Sequence, residues 1–325
     1  MFMARTPLRI TFVGGGTDIP DYYRNYGHGM CVSAAINKYI YVMVNKKFDE
    51  KIRVSYSRTE IVDKVEEIEH PTVREALKLL DIKGGIEIVS ISDIPSSGTG
   101  LGSSSTFLVS LLNALHAYIG EHASAKTLAE EAVKIERYIL KEPGGKQDQY
   151  IAAYGGFRSL RFHSNEGVTV TPIIAKNGNH KEFQESLMLL YTGRSRRSAD
   201  IHRRQAMGVS ENVDKYKRMV EIAESFPRYA GSGNLEMCAK LMDENWRLKT
   251  KLADGISDPW IDEHYERALR AGALGGKLLG AGGGGFILLV VPKEKREEVK
   301  GAMSDLREEK FSIDFMGSNI IYVGE

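Results

Sequence analysis

The segment Pro95–Thr106 (PSSGTGLGSSST) has the residue types and spacing of a phosphate-binding loop. A predicted strand enters it and a predicted helix leaves it. Free backbone N–H groups at the start of a helix attract an anion, and glycines remove side chains that would block its approach. Serine hydroxyls donate further hydrogen bonds or ligate magnesium. A tight turn with a serine cap would need fewer glycines and serines, so we expect phosphate binding. The residues expected at the phosphates are Pro95, Ser97, Gly98, Gly100, Leu101, Gly102, Ser103, Ser104 and Ser105.

Two commoner glycine motifs do not fit this sequence. Gly276 and Lys277 are followed by leucine, whereas a Walker loop needs serine or threonine there. The glycines of the segment 280–285 match the dinucleotide pattern G-x-G-x-x-G, but they precede a predicted strand, and that pattern must follow a strand and open a helix. The sequence therefore disfavours a nicotinamide dehydrogenase. Without an H-E-x-x-H or C-x-x-C motif, it gives no support for a protein-held zinc ion.

The elements that must position the loop lie in the N-terminal half. Stretches rich in β-branched and aromatic residues predict strands, and apolar residues at helical spacing predict helices. We expect strands at Thr6–Val13, Cys31–Ile36, Tyr39–Asn45, Ile52–Tyr56, Gly85–Ser92, Phe157–Phe162 and Val168–Ile174. Helices are expected at Ser103–Ile119, Ser124–Leu140 and Gln147–Tyr154.

A turn-rich stretch at 176–180 (KNGNH) divides the 325 residues into predicted domains 1–180 and 181–325. Both halves mix helices with mostly antiparallel strands, so the expected fold class is α+β. In the second half we expect strands at Ser186–Tyr191, Phe286–Val291, Phe311–Phe315 and Asn319–Val323. Helices are expected at Ser198–Ser225, Leu235–Leu252, Pro259–Ala271 and Lys293–Glu309, with a glycine loop before Phe286.

Composition argues against several classes of protein. Hydrophobic residues make up 42% and charged residues 27%, as in ordinary globular chains. The 44 basic and 43 acidic residues leave a net charge of +1, which gives no bias toward nucleic acid or an anionic membrane. Two cysteines favour a reducing compartment, and no apolar stretch reaches the ~20 residues that span a bilayer. We therefore expect a cytoplasmic protein with no nucleic-acid or membrane partner.

Three motifs together resemble the GHMP small-molecule kinase superfamily. They are RTPLRITFVGGGTD near the start, PSSGTGLGSSS in the middle and KLLGAGGGGF from Lys277 to Phe286. The phrases TPLRITFVGGGTDIPDYY, INKYIYV, EPGGKQDQYIAAYGG and YTGRSRRSADI are similar to its sugar-1-kinase branch. The resemblance implies an N-terminal domain like the second domain of ribosomal protein S5, a ferredoxin-like C-terminal domain and an active site between them. It also implies ATP and Mg²⁺.

The activity that the resemblance implies is phosphorylation of a sugar at its anomeric C1 hydroxyl. The expected acceptor is D-glycero-D-manno-heptose 7-phosphate, which would give the 1,7-bisphosphate and ADP. An unphosphorylated sugar such as fucose, or another sugar phosphate, stays an alternative. A catalytically silent ATP/sugar-binding sensor is another, although Arg9, Ser104, Glu136 and Asp148 are all present. The sequence leaves open whether the chain forms a homodimer.

The resemblance assigns catalytic and metal-binding roles. Asp148 matches the family's catalytic aspartate and would orient the acceptor hydroxyl and take its proton; alternatively it caps a helix. Glu136 matches the magnesium ligand, together with Ser104, unless it is an ordinary solvated helix glutamate. Arg9 would offset charge on the transferred group, and Lys146 would act similarly.

Substrate recognition is expected from three segments. Gly15, Gly16, Thr17 and Asp18 replace the Glu-His-Thr-Asp pattern of galactokinase, which argues against galactose. Asp18 would accept sugar hydroxyls or cap the following short helix. The dense arginines between 194 and 204 suggest a site for a second phosphate, formed by Arg194 and Arg196, unless they form a solvated helix face. Gly282 and Gly283 are expected to approach the substrate or the phosphates.

Overall fold

The computed structural model describes residues 1–95, 98–175, 179–195 and 198–324. In this part of the chain the strands form a larger sheet of eight and a smaller sheet of four. The larger sheet has the order β12 (Asn319–Val323), β1 (Phe2–Val13), β2 (His28–Lys46), β5 (Ile86–Ser92), β3 (Ile52–Ser55) and β4 (Thr59–Val62). Strand β6 (Phe157–His163) extends from β2 and pairs with β7 (Val168–Pro172). The smaller sheet has the order β11 (Arg307–Glu308), β8 (Leu187–Tyr191), β10 (Phe286–Val290) and β9 (Gly275–Leu278), with every pairing antiparallel.

The N-terminal half supplies most of the larger sheet and the helices that cover it. Its elements are β1 (Phe2–Val13), α1 (Pro20–Tyr26), β2 (His28–Lys46), β3 (Ile52–Ser55), β4 (Thr59–Val62), α2 (Pro71–Leu79), β5 (Ile86–Ser92), α3 (Ser103–Tyr118), α4 (Ala125–Val133), a π-helical turn (Lys134–Ile139), α5 (Gln147–Tyr154), β6 (Phe157–His163) and β7 (Val168–Pro172).

The C-terminal half supplies the smaller sheet, a group of helices and one strand of the larger sheet. Its elements are α6 (Asn179–Ser186), β8 (Leu187–Tyr191), α7 (Ser198–Met207), α8 (Val213–Ser232), α9 (Leu235–Lys249), α10 (Pro259–Arg270), β9 (Gly275–Leu278), β10 (Phe286–Val290), α11 (Arg296–Ala302), β11 (Arg307–Glu308) and β12 (Asn319–Val323).

The core centres on β1, β2 and α3. Every residue from Thr6 to Val13 is buried, as expected for a strand that is covered on both faces. Helix α3 is apolar on most of its surface and packs against β1 and β2. This packing brings the loop before α3 against β1, where the N–H of Arg9 donates to the carbonyl of Leu101 at 3.0 Å.

Several predicted elements take a different form in the structure. The two strands expected at 31–45 are one continuous strand, β2, because a register shift opposite Pro7 and Leu8 accommodates Asn37 and Lys38. The helix expected at 198–225 is two helices, α7 and α8, separated at 208–212. The sequence reading missed α2, α6, β4 and β9.

The region after β10 contains two wrong predictions. The expected helix Lys293–Glu309 ends at Ala302, because Arg307 and Glu308 pair with the edge of β8. The segment 311–315 is not a strand. Ile313 makes a single bridge with Ile36, and the Asp314 carboxylate accepts backbone N–H groups at 316 and 317 and thereby turns the chain.

The final strand lies in the larger sheet. Strand β12 pairs antiparallel with β1, so the end of the chain contributes to the larger sheet. The division at residue 180 stays a prediction. The structure shows that β12, which lies beyond this division in sequence, is part of the larger sheet. Within the described ranges, no helix combines the length and apolar character needed to cross a membrane.

Candidate active site

A cleft of about 550 Å³ opens between the two halves of the molecule. Its walls are β1, the loop before α3, the π-helical turn, α5, the start of α7 and the loop between β9 and β10. The three sequence motifs therefore meet at one place, although they are separated by most of the chain.

The loop before α3 has the backbone that its glycines allow. Gly98, Gly100 and Gly102 have φ of +72°, +75° and +78°, a region that other residues rarely adopt. A Cβ at Gly100 would lie 2.6 Å from the carbonyl oxygen of Leu279, so the loop packs directly on the β9–β10 loop. Gly102 is the N-cap of α3 and provides no side-chain cap. The first N–H groups of the helix are thus available to an anion.

Most of the expected phosphate-binding residues that the structure describes line this cleft, and two do not. Gly98, Gly100, Gly102 and the serines 103–105 are part of its wall. Leu101 is fully buried in the core and contributes its carbonyl to Arg9. Pro95 lies at a neighbouring cavity instead. Ser97 lies outside the described residues.

Glu136 faces the loop serines from the π-helical turn. Its carboxylate accepts hydrogen bonds from the Ser104 hydroxyl at 3.2 Å, the Ser105 hydroxyl at 2.7 Å and the Gln149 amide. It is 1% exposed, so it is not the solvated helix glutamate that the sequence left open. The π-helical turn is the local feature that directs it, since such turns change the direction of a helix face.

A second carboxylate, which the sequence reading missed, lies on the same wall. Glu142 lines the cleft, and its pKa is raised by burial and by the neighbouring charge of Glu136. A bound cation would relieve this repulsion. Together with the serine hydroxyls, these carboxylates form the hard oxygen set that Mg²⁺ prefers, and Mg²⁺ completes its shell with phosphates and water.

Asp148 and Arg9 form a two-point ion pair in the floor of the cleft. Arg9 Nε donates to Oδ1 and Nη2 to Oδ2, each at 2.8 Å, and Nη1 donates to the Gly100 carbonyl. Burial alone would raise the pKa of Asp148, but the Arg9 charge and hydrogen bonds outweigh it and lower that pKa. The carboxylate is therefore ionised and held in one orientation.

The helix-capping alternative applies to Asp18 rather than to Asp148. Asp18 Oδ2 accepts the N–H of Gln147 at 3.1 Å, at the first residue of α5, and Oδ1 accepts the N–H of Gly16 at 3.0 Å. The contact needs glycine at 145, where a Cβ would lie 1.8 Å from Asp18 Oδ2. Asp18 does not cap α1, whose N-cap is Ile19.

Behind the Arg9–Asp148 pair lies an inner recess of about 50 Å³. Gly15, Gly16 and Asp18 line it, as expected, but Thr17 does not: its buried hydroxyl bonds to the backbone of Met30. The rest of its wall includes polar residues that the sequence reading missed, among them Gln147, His202, Gln205, Lys249 and Lys277.

Two expected site residues, Lys146 and Arg194, form contacts elsewhere in the structure. The Lys146 ammonium pairs with Glu166 and lies over the rings of Tyr23 and Tyr138, so it does not line the cleft. Arg194 forms a two-point ion pair with Asp258 at 3.2 and 2.8 Å, which neutralises it.

Of the two glycines expected at the substrate, Gly282 lines the cleft but Gly283 does not, since its N–H donates to the carbonyl of Ile256. Arg196 lies outside the described residues.

A second cavity of about 570 Å³ adjoins the loop on its other side. It shares Ser103 and Ser104 with the cleft, and its walls include the rings of Tyr56, His70 and Phe107. Flat aromatic and apolar walls suit a planar, largely apolar group. The loop thus separates a polar cleft from an aromatic cavity.

Family models match both halves of the chain. The model described as "GHMP kinases N terminal domain" matches residues 71–156, which include the glycine loop, Glu136 and Asp148. The model described as "GHMP kinases C terminal" matches residues 222–308, which include the β9–β10 loop. The chain belongs to the GHMP kinase family. The two-domain α+β fold expected from the resemblance is thereby confirmed.

Individual GHMP kinases resemble this one along nearly its whole length. D-glycero-alpha-D-manno-heptose 7-phosphate kinase from Campylobacter jejuni is 29% identical, over 96% of this chain and 95% of its own. L-fucokinase/L-fucose-1-P guanylyltransferase from Bacteroides fragilis is 25% identical over 88% of this chain, which matches 34% of that protein. The crystal structure of a D-glycero-D-manno-heptose 1-phosphate kinase from Bacteroides thetaiotaomicron has 24% identity, a TM-score of 0.83 and full coverage of both chains. This GHMP kinase is an ATP-dependent phosphotransferase.

Proposed function

We propose that this GHMP kinase transfers the γ-phosphoryl group of ATP to the C1 hydroxyl of D-glycero-D-manno-heptose 7-phosphate. The products are the 1,7-bisphosphate and ADP. One observation carries the proposal: the Arg9–Asp148 pair lies between a cleft at the start of α3, where Gly102 provides no side-chain cap, and a polar recess. Similarity to the heptose 7-phosphate kinase over nearly the full length supports the choice of acceptor.

The triphosphate of ATP is proposed to lie on the N–H groups of residues 98–105, with its adenine in the adjoining aromatic cavity. Glycines at 98, 100 and 102 allow the close approach, and the start of α3 supplies the donors. Ser104 and Glu136 would hold Mg²⁺, which offsets the charge of the phosphate oxygens when bound.

The acceptor hydroxyl is proposed to meet the γ-phosphoryl group at Asp148. As the new O–P bond forms and the bond to ADP breaks, the hydroxyl proton passes to the carboxylate. The lowered pKa makes Asp148 a weak base, which suffices because a loose phosphoryl-transfer transition state demands more positioning than basicity. Arg9 fixes the carboxylate and offsets charge on the transferring oxygens.

The two free cysteines bear on the compartment in which the reaction takes place. Cys31 and Cys238 are both buried and unbridged. We therefore propose the reducing cytoplasm, where ATP is also supplied.

An acceptor panel tests the proposal. Heptose 7-phosphate, unphosphorylated heptose and L-fucose are each supplied with Mg-ATP, and release of ADP is measured. We expect the highest kcat/KM with heptose 7-phosphate and, by phosphorus NMR, a product phosphorylated at C1. Preference for fucose, the sugar named for the Bacteroides fragilis relative, would favour the alternative acceptor. Binding without turnover of any sugar would indicate a sensor.

A further inference from the structure

Two lysines occupy the inner recess. Lys249, at the end of α9, and Lys277, in β9, both line it and are 4% and 1% exposed. Arg9 lines the same recess from β1. Buried ammonium groups are rare without a compensating anion, because the low dielectric penalises an unpaired charge.

Among the described residues, neither carboxylate of the recess forms an ion pair with these lysines. Both oxygens of Asp18 accept backbone N–H groups, and both oxygens of Asp148 accept from Arg9. Lys249 donates to the carbonyl of Gly280 at 2.7 Å. The Lys277 ammonium group makes no hydrogen bond or ion pair within the described part of the chain.

The pKa values of both lysines are lowered, as expected for buried ammonium groups that no anion compensates. Burial lowers the pKa of Lys249 to about 8, although the charge of Asp18 opposes the change. Burial, Lys249 and Arg9 lower the pKa of Lys277. The side-chain nitrogen of Gln205, a residue that is 1% exposed and lines the recess, also has no hydrogen-bond partner among the residues that the structure describes. The recess thus offers more donors than its own acceptors can use.

Size and position indicate the source of the anion. The recess, at about 50 Å³, has space for a few water molecules or one phosphate-sized group, rather than a sugar ring. No described residue from 98–105 lines it, whereas Gly15, Gly16 and Asp18 of the first motif do. It therefore lies on the acceptor side of the Arg9–Asp148 pair.

We propose that Lys249 and Lys277 bind the non-transferred phosphate of the acceptor, an inference that rests on the proposed function. These lysines take the role that the sequence gave to Arg194, which Asp258 neutralises. Gln205 adds a neutral donor. The site selects a phosphorylated acceptor because an uncharged substituent would leave both ammonium groups unpaired.

The test compares Lys277→Met and Lys249→Met with Lys251→Met, a matched change on the exposed surface nearby. We expect each recess variant to raise KM for heptose 7-phosphate about 100-fold with little change in kcat. Its kinetics with unphosphorylated heptose, and all kinetics of the control, should stay within about threefold of wild type. An equal fall in kcat for both acceptors would overturn the proposal, because it would assign the lysines to the transferred phosphoryl group. Unchanged KM would also overturn it.

A binding measurement separates this inference from the proposed function. Inorganic phosphate is titrated calorimetrically into wild type, Lys277→Met and Lys249→Met, so that a second variant remains if one does not fold. Binding that is lost or weakened in a folded variant supports the site even if heptose 7-phosphate proves not to be an acceptor. Equal binding by wild type and every folded variant, or no binding by wild type, contradicts it.

Discussion

The Arg9–Asp148 pair joins two requirements of phosphoryl transfer in one contact. The guanidinium uses both oxygens of the carboxylate and a carbonyl of the phosphate loop, so it fixes the acceptor-facing group relative to the nucleotide-facing loop. A lysine could not make this planar, two-point contact. The main role of these two residues is therefore to hold the acceptor and the nucleotide in position relative to each other.

Replacing Asp148 with asparagine tests that role. We expect Asp148→Asn to lower kcat by about 10²–10⁴-fold, because the variant loses the proton acceptor and one arm of the Arg9 pair. ATP affinity should change little, since the glycine loop is intact. Turnover and nucleotide titration measure the two effects. Asp63→Asn, at an exposed side chain, is the control; turnover of Asp148→Asn equal to it would remove Asp148 from catalysis.

Replacing Glu136 with glutamine tests the proposed metal contact. The variant keeps the shape of the side chain but loses its charge and one of the two acceptor oxygens that face Ser104 and Ser105. We expect the Mg²⁺ concentration for half-maximal activity to rise by about 10–100-fold. Glu130→Gln, at an exposed helix position, should leave it unchanged. An unaltered Mg²⁺ requirement in Glu136→Gln would show that the metal is held elsewhere.

Single residues were predictable where a motif fixed their surroundings. Asp148 and Glu136 were assigned from the family-like segments KQDQY and KIERY, although the partners that hold them, Arg9 and the loop serines, are distant in sequence. Lys249 was missed because it continues an ordinary amphipathic helix pattern, and only the tertiary fold buries it. The ion pair of Arg194 could not be predicted, because its partner Asp258 is distant in sequence.

At the scale of elements, the phosphate loop depends on left-handed backbone conformations. Gly102 has φ of +78°, and a Cβ there would lie 3.2 Å from Asp148 Oδ2 and 3.3 Å from Arg9 Cγ. The loop therefore sets the position of the ion pair as well as that of the phosphates.

Two glycine substitutions separate these effects. Gly102→Ala and Gly120→Ala both place alanine at φ near +80°, at a cost of about 1–2 kcal/mol, but Gly120 has no atom within 4 Å of a Cβ. We expect similar losses of stability by urea unfolding, and a fall in kcat/KM of at least roughly tenfold only for Gly102→Ala. Equal kcat/KM in the two variants would show that the loop does not position the site.

Elements were predictable from periodicity except where tertiary contacts changed them. Helix α5 begins and ends at the predicted residues because glycines bound it on both sides. The π-helical turn was read as part of a longer helix, since the apolar spacing continues through it. Strand β9 was hidden in a glycine-rich stretch, where close packing on Ala239 and Leu288, rather than strand propensity, determines the backbone.

At the scale of the whole molecule, folding around the cleft buries one histidine in its neutral form, which makes stability depend on pH. His202 lines both the cleft and the recess, and burial, with Lys249 and Arg137, lowers its pKa to about 4. In the unfolded chain a histidine has a pKa of about 6.5. The unfolded state therefore binds more protons between these values, so folding stability is lost as pH falls from about 6.5 toward 4.

The pH dependence of His202→Gln tests this coupling. Between pH 7 and pH 5 the wild type should lose on the order of 2 kcal/mol more stability than the variant, measured as the free energy of unfolding in urea. His122→Gln, at an exposed position, should follow the wild type. Identical pH dependence in all three proteins would mean that His202 is not buried as a neutral ring.

The arrangement of both halves around one cleft is most directly tested by a crystal structure with Mg²⁺, a non-hydrolysable ATP analogue and heptose 7-phosphate. The account predicts the triphosphate on the backbone amides of 98–105, the anomeric oxygen of the sugar beside Asp148, and its 7-phosphate on Lys249 and Lys277. Nucleotide bound away from this loop, or a different sugar hydroxyl facing the γ-phosphoryl group, would contradict it.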